Sequence, residues 1–100
     1  MSAVKSQVQD GNVVLAITRD FTFDLNQHFR AAYKAHPPTT PFVVDLTQAR
    51  YMDSSGLGML LQLREFAGGN QSRVTIRGCN ETVREILKIA NFERLFRIQA

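Results

Sequence analysis

One hundred residues, 44% hydrophobic and 21% charged, are ordinary globular material able to bury one core, which excludes a disordered tail and a multidomain chain. The formal net charge of +3 comes from cations interleaved with apolar and acidic positions, so no basic cluster or aromatic-basic strip points to nucleic acid. A lone Cys79 excludes an internal disulfide, and no apolar run approaches the roughly 20 residues of a membrane span.

Cys79 has no metal-ligand spacing around it and fits a reducing cytoplasm, and the N-terminus lacks a signal-peptide core. His28 and His36 have no Cys, Asp or second His at ligand spacing. The expectation is a single domain over residues 1–100, cytoplasmic, with no cofactor, no metal, no nucleic-acid partner and no direct membrane insertion.

In chain order, Ala3–Gln9 and Val13–Thr18 read as strands flanking Asp10-Gly11-Asn12, whose Asp-Gly pair is a strong hairpin signal. Asp24 with Gln27 three residues on reads as a capping box, and Leu25, Phe29, Ala32 and Tyr33 form the apolar stripe of a helix ending near His36. After the prolines at 37, 38 and 41 comes a short β-rich strand, Phe42-Val43-Val44-Asp45-Leu46. Residues Thr47 to Arg50 lead into Tyr51-Met52. Met59, Leu60, Leu63, Phe66 and Ala67 then recur at helical spacing, with Gly68-Gly69 as the stop. A strand over Arg73–Arg77 follows. Asn80 or Thr82 caps the last long helix, Val83, Ile86, Leu87 and Ala90 mark its buried face, and Asn91 suits a left-handed close. Strands separated by helices imply parallel crossovers after the hairpin. The fold class is therefore α/β, a mixed sheet of about four to five strands packed with helices.

The segment that carries chemistry is Asp53-Ser54-Ser55-Gly56-Leu57-Gly58, at a strand-to-helix junction. A helix N-terminus leaves backbone N–H groups without intrahelical partners and carries the positive end of the dipole, so a serine there can hold a phosphate. Capping is the bland alternative: Asp and Ser are preferred N-caps, worth roughly 1 kcal/mol. One cap needs one side chain, however, and three polar side chains stand in a row. A glycine inside a helix costs on the order of 1 kcal/mol relative to Ala, so Gly56 and Gly58 are expected to open the surface to a partner.

The run Val43-Val44-Asp45-Leu46-Thr47, followed by Tyr51-Met52-Asp53-Ser54-Ser55-Gly56-Leu57-Gly58-Met59-Leu60-Leu61, resembles the STAS family of sulfate-transporter and anti-sigma-factor-antagonist domains. Arg73–Arg77 resembles the family's next strand, and Val83 to Phe96 its last helix and closing Asn-Phe-x-x-Leu-Phe turn. The resemblance implies the STAS fold over essentially the whole chain. It further implies that Ser55, the second serine of the motif, is phosphorylated, with Asp53, Ser54 and Gly56 supporting the site. Asp53, Ser54, Ser55, Gly56, Leu57 and Gly58 would form the partner surface. The implied function is that of an anti-sigma factor antagonist. Its unphosphorylated form binds a serine/threonine-kinase-like regulator such as an anti-sigma factor, phosphorylation releases it, and a PP2C-type phosphatase restores binding. A second possibility within the family is an unphosphorylated subunit bracing the ATPase of a membrane lipid transporter. One stretch departs from the family: Arg19-Asp20-Phe21-Thr22 stands where antagonists carry a Gly-Glu-Leu-Asp-like sequence.

Enzymatic readings lack their constellations. A hydrolase elbow around Ser55 needs glycine two before and two after, where Asp53 and Leu57 stand. Gly56-Leu57-Gly58 lacks the third glycine of a dinucleotide loop, and there is no Gly-Lys-Ser/Thr motif. The expectation is a non-enzyme whose phosphoryl chemistry belongs to its partners.

Overall fold

The computed structural model describes residues 3–99; positions 1, 2 and 100 of the expected 1–100 domain lie outside the described residues. Eight regular elements alternate along the chain: β1 Val4–Gln9, β2 Asn12–Ile17, α1 Asn26–Lys34, β3 Phe42–Asp45, α2 Ser54–Phe66, β4 Val74–Arg77, α3 Glu81–Ile89 and β5 Arg97–Gln99. The strands form one mixed sheet in the order β1-β2-β3-β4-β5. β1 and β2 are antiparallel with Gln9 opposite Asn12, and the remaining pairings are parallel. Asp10 (φ 54°) and Gly11 (φ 82°) both adopt positive φ, the demand of a two-residue hairpin turn that Asp-Gly meets best.

Every crossover helix packs on the same side of the sheet. Val13, Leu15 and Ile17 from β2, Phe42 and Val44 from β3, and Val74 and Ile76 from β4 share one buried cluster with Phe29, Tyr33, Met59, Leu60, Leu63, Val83 and Leu87. An edge-to-face series of rings, Phe21–Phe29–Tyr33–Phe42, with centroids 5.0, 5.4 and 6.4 Å apart, ties α1 to the sheet and to the segment after β2. Such pairs add about 0.5–1.5 kcal/mol each beyond burial.

One expectation is corrected. Asp24 does not cap α1. A short 3-10 turn, Phe23–Leu25, precedes the helix, and its backbone bonds (Leu25 N–H to the Thr22 carbonyl, Asn26 N–H to that of Phe23) leave a side-chain cap nothing to satisfy. The Asp24 carboxylate accepts instead from the Thr22 hydroxyl and pairs with Arg19 at 2.8 Å. The hydroxyl first, and then the guanidinium, hold this carboxyl below its usual range. The last cap, left open between Asn80 and Thr82, is decided. Asn80, not Thr82, starts α3, its Oδ1 accepting the Val83 N–H at 2.8 Å. The chain then turns at Asn91 (φ 59°), as expected for a left-handed close, and passes through a 3-10 turn, Phe92–Arg94, into β5.

Candidate functional site

The segment after β3 is fixed from both sides before α2 begins. Asp20 Oδ1 accepts the Arg50 N–H at 3.0 Å, the Asn80 amide donates to the Arg50 carbonyl at 3.1 Å, and the Phe21 N–H bonds to the Tyr51 carbonyl at 3.0 Å. Phe21 and Met52 form a parallel bridge and are both fully buried. The stretch that departs from the family therefore lies directly beside the motif and clamps it. Sequence reading missed this, because the only signal was a buried-type aromatic in a polar loop some thirty residues upstream.

From this platform Asp53, in extended conformation (φ −94°, ψ −176°), starts α2, and its Oδ1 accepts the Gly56 N–H at 3.0 Å. The cap is Asp53 alone. Ser54 is exposed and Ser55 half-buried, and neither hydroxyl has a hydrogen-bond partner among the described residues. Their own backbone N–H groups, at the first two helical positions, have no intrahelical acceptor. No acidic side chain stands in the first turn of α2. An acceptor-rich, anionic group on either serine would meet free N–H donors and the positive end of the dipole.

The two glycines differ, and one expectation changes with them. A Cβ on Gly56 would lie 2.7 Å from the Phe21 carbonyl oxygen and 3.2 Å from both Met52 Cβ and Phe21 Cδ2. Gly56 is buried. It lets the helix start approach the Phe21 segment, so it serves packing rather than an open partner surface. Gly58 has nothing within 4 Å of its Cβ position and is exposed, so the surface there is open. Phe23 (67% exposed) and Tyr51 (48% exposed) are exposed large apolar residues of the flanking segments, one two residues after Phe21 and the other two before Asp53. The start of α2 thus combines bare hydroxyls with an open glycine position.

The remaining candidates are set apart from this site. Among the described residues no group of three or more His, Cys, Asp or Glu side chains could hold a metal ion. Cys79 is half-buried and burial pushes its thiol up, away from nucleophilic reactivity. His36 lies edge-on to Phe42 at 6.3 Å. No helix of the described residues is long and apolar enough to cross a membrane.

The profile of the family described as "Mlab, STAS domain" matches residues 4–98. The chain belongs to the STAS family. A STAS-domain containing protein of Pseudomonas aeruginosa is 47% identical over 88 residues, covering 86% of each chain. Among solved structures, an anti-sigma factor antagonist from Mycobacterium paratuberculosis superposes with a TM-score of 0.76 at 19% identity, covering 95% of this chain and 82% of that one. The anti-sigma factor antagonist SpoIIAA in its unphosphorylated form gives 0.74 at 17% identity, with 98% and 88% coverage. In its phosphorylated form it gives 0.72 at 16% identity, with 98% and 92% coverage. At these identities the structures establish a shared fold: the STAS sheet, its three helices and the N-terminal hairpin, as expected from the sequence.

Proposed function

We propose that this STAS domain is an anti-sigma-factor-antagonist type of partner switch, with Ser55 as the phosphorylated residue. The observation that carries the reading is the division of labour at the start of α2: Asp53 supplies the whole cap, leaving both serine hydroxyls unengaged on a turn rich in free N–H donors. SpoIIAA, whose fold this chain shares, is known in phosphorylated and unphosphorylated forms, which supports a reading in which this chain is modified too. Ser54 is the more exposed of the two serines, so the choice of Ser55 rests on the family motif and not on accessibility. Unphosphorylated, the surface of Ser54, Ser55, Leu57 and Gly58 docks a serine-kinase-like regulator. A phosphate adds roughly −1.5 to −2 charge, which suits the helix end and spoils the docked interface through desolvation and repulsion. In this reading the chain performs no catalysis, and a separate phosphatase resets it.

A second reading, an unphosphorylated subunit bracing a transporter ATPase, draws on Gly56, since a packing glycine and a capping aspartate account for half of the motif without phosphate. Intact-mass analysis of protein purified from its own host, with the site mapped, separates them. The switch predicts a phosphorylated fraction lost in Ser55→Ala. A map with Ser54 as the sole site overturns the residue assignment. Unmodified protein under every growth condition, together with co-purification of a membrane ATPase, establishes the second reading.

A further inference from the structure

The three helices leave one face of the sheet uncovered. β2 to β3, β3 to β4 and β4 to β5 each step one strand in the same direction, and right-handed crossovers that all step the same way place their helices on a single side. Parallel strands are ordinarily covered on both faces. Here Val14 and Val43, cross-strand neighbours on β2 and β3, are 7% and 8% exposed yet stand outside the core cluster, on the opposite face. The same row continues through Thr75 to Arg97.

The charge of this face is as unusual as its bareness. Strand alternation places Lys5, Arg73, Arg77 and Arg97 on it, with Asp45 as the single anion among the described strand residues. Twelve cations less these four leaves eight, and nine anions less Asp45 leaves eight, so the rest of the chain is neutral and the whole +3 resides here. Asp45 is already engaged, by Arg77 at 3.3 Å and by the Thr47 hydroxyl and N–H. Arg73 donates only to a neutral acceptor, the Thr39 carbonyl at 2.9 Å. Arg97 and Lys5 have no carboxylate at ion-pair distance among the described residues. Arg73, Thr75, Arg77 and Arg97 border a cavity of about 590 Å³ that reaches Val43.

We infer that the bare sheet face is a second docking surface, separate from the serine motif, for an acidic protein partner whose carboxylates seat on Arg73, Arg97 and Lys5 around the Val14–Val43 centre. Arginine is enriched in protein interfaces, and the uncompensated cations select an acidic surface and speed its encounter. A second copy of this chain is repelled by the same charge. Single-stranded nucleic acid needs aromatic side chains for its bases to stack on. No aromatic side chain of the described strands lies on this face: Phe42 belongs to the core on the helix side, and the outward positions of β3 and β4 are Val43, Asp45, Thr75 and Arg77. An anionic membrane is poorly met as well, since Val14 and Val43 are only 7% and 8% exposed and no large exposed apolar side chain on this face is available to insert.

The test is an amide-shift titration of the isotope-labelled chain with a glutamate-rich peptide. Shifts should concentrate at Val14, Val43, Thr75 and Arg97, and weaken as salt rises. The pair Arg73→Glu with Arg97→Glu should lower affinity by about tenfold through like-charge juxtaposition, and the neutral pair Arg73→Gln with Arg97→Gln by less, which keeps the test valid if the glutamate pair folds poorly. Arg84→Glu with Lys88→Glu on α3 makes the same change in net charge and should leave binding unchanged. An equal loss from the α3 pair, or shifts spread over α3, overturns the inference by reducing it to net charge. Tighter binding of an oligothymidine or of phosphatidylserine vesicles at the same residues also overturns it, assigning the face to nucleic acid or to a membrane.

Discussion

Helices α2 and α3 begin with the same device and then diverge. Asp53 and Asn80 each accept the N–H three residues on, at 3.0 and 2.8 Å. Behind Asn80 stand Glu81 and Thr82, exposed, with the glutamate already meeting the positive helix end. Behind Asp53 stand two unengaged serines, no acid, and a glycine pressed against the Phe21 backbone. Because the cap is common to both, capping cannot be what distinguishes the α2 start. What distinguishes it is an unsatisfied, anion-ready turn held rigidly by a neighbouring segment.

The rigid hold is the easiest half of that contrast to break. In Gly56→Ala the new Cβ meets a backbone oxygen at 2.7 Å, which cannot rotate away, so the variant should lose about 1–3 kcal/mol as overpacked cores do. Gly58→Ala, two residues later with nothing within 4 Å, should instead gain up to about 1 kcal/mol from helix propensity. Urea denaturation of the two variants reads opposite signs from one substitution type. Equal signs would show that the approach of α2 to Phe21 does not constrain the chain.

The anion-ready half is probed by charge. Ser55→Asp should weaken binding of the kinase-like partner by at least tenfold, equivalent to about 1.4 kcal/mol, while its melting temperature stays close to that of the parent. Calorimetry with the partner and thermal melts check the two parts. Unimpaired binding would sink the switch, and a collapsed melt would make Ser55 a folding residue.

These contrasts also show what was legible before the structure. Asp10-Gly11 announced its hairpin because few residues accept two positive φ values in succession, and the Asp53 cap and the apolar stripes of α2 and α3 depend on spacing within a few residues. Asp24 misled because a 3-10 turn satisfied the N–H groups that a cap would have served, and nothing in Asp-Leu-Asn-Gln distinguishes the two outcomes. Gly56 misled for a different reason: its neighbour is Phe21, brought across by a strand bridge, and a single sequence does not display that contact. β5 is three residues long with a half-buried centre, too short for alternation to mark. The bare sheet face was hidden because Val13-Val14-Leu15 and Phe42-Val43-Val44 are continuous apolar runs, a pattern that carries no sign of which face lacks a cover.

A paired substitution sharpens the comparison of the two caps. Asp53→Ala and Asn80→Ala should each cost about 1 kcal/mol, measured by chemical denaturation. Only Asp53→Ala should also slow phosphorylation by the partner kinase, since it disorders the turn that carries Ser55. If both variants were phosphorylated at the parental rate, Asp53 would be a cap and nothing more.

The smallest effect concerns the tie between the two helix entries. β3 leads to α2 and β4 to α3, and where those strands end, Asp45 accepts from the Thr47 hydroxyl at 2.6 Å and its N–H at 3.0 Å while pairing with Arg77 at 3.3 Å. Gly78 closes against the same group, since a Cβ there would fall on the Thr47 hydroxyl. Burial pushes the Asp45 carboxyl up, but the Thr47 hydrogen bonds and Arg77 outweigh it and hold the carboxyl below its ordinary value of 3.8. A carboxyl held low in the folded state contributes stability that is complete above its unfolded value and lost as pH falls through the folded one. Acidification should therefore loosen the tie, and the parent should lose more stability than Asp45→Asn between about pH 5 and about pH 3. Asp24, also held low by its neighbours, is unchanged in that variant, so the difference between the two curves isolates Asp45. Parallel curves would mean that the two helix entries are positioned by the sheet register alone.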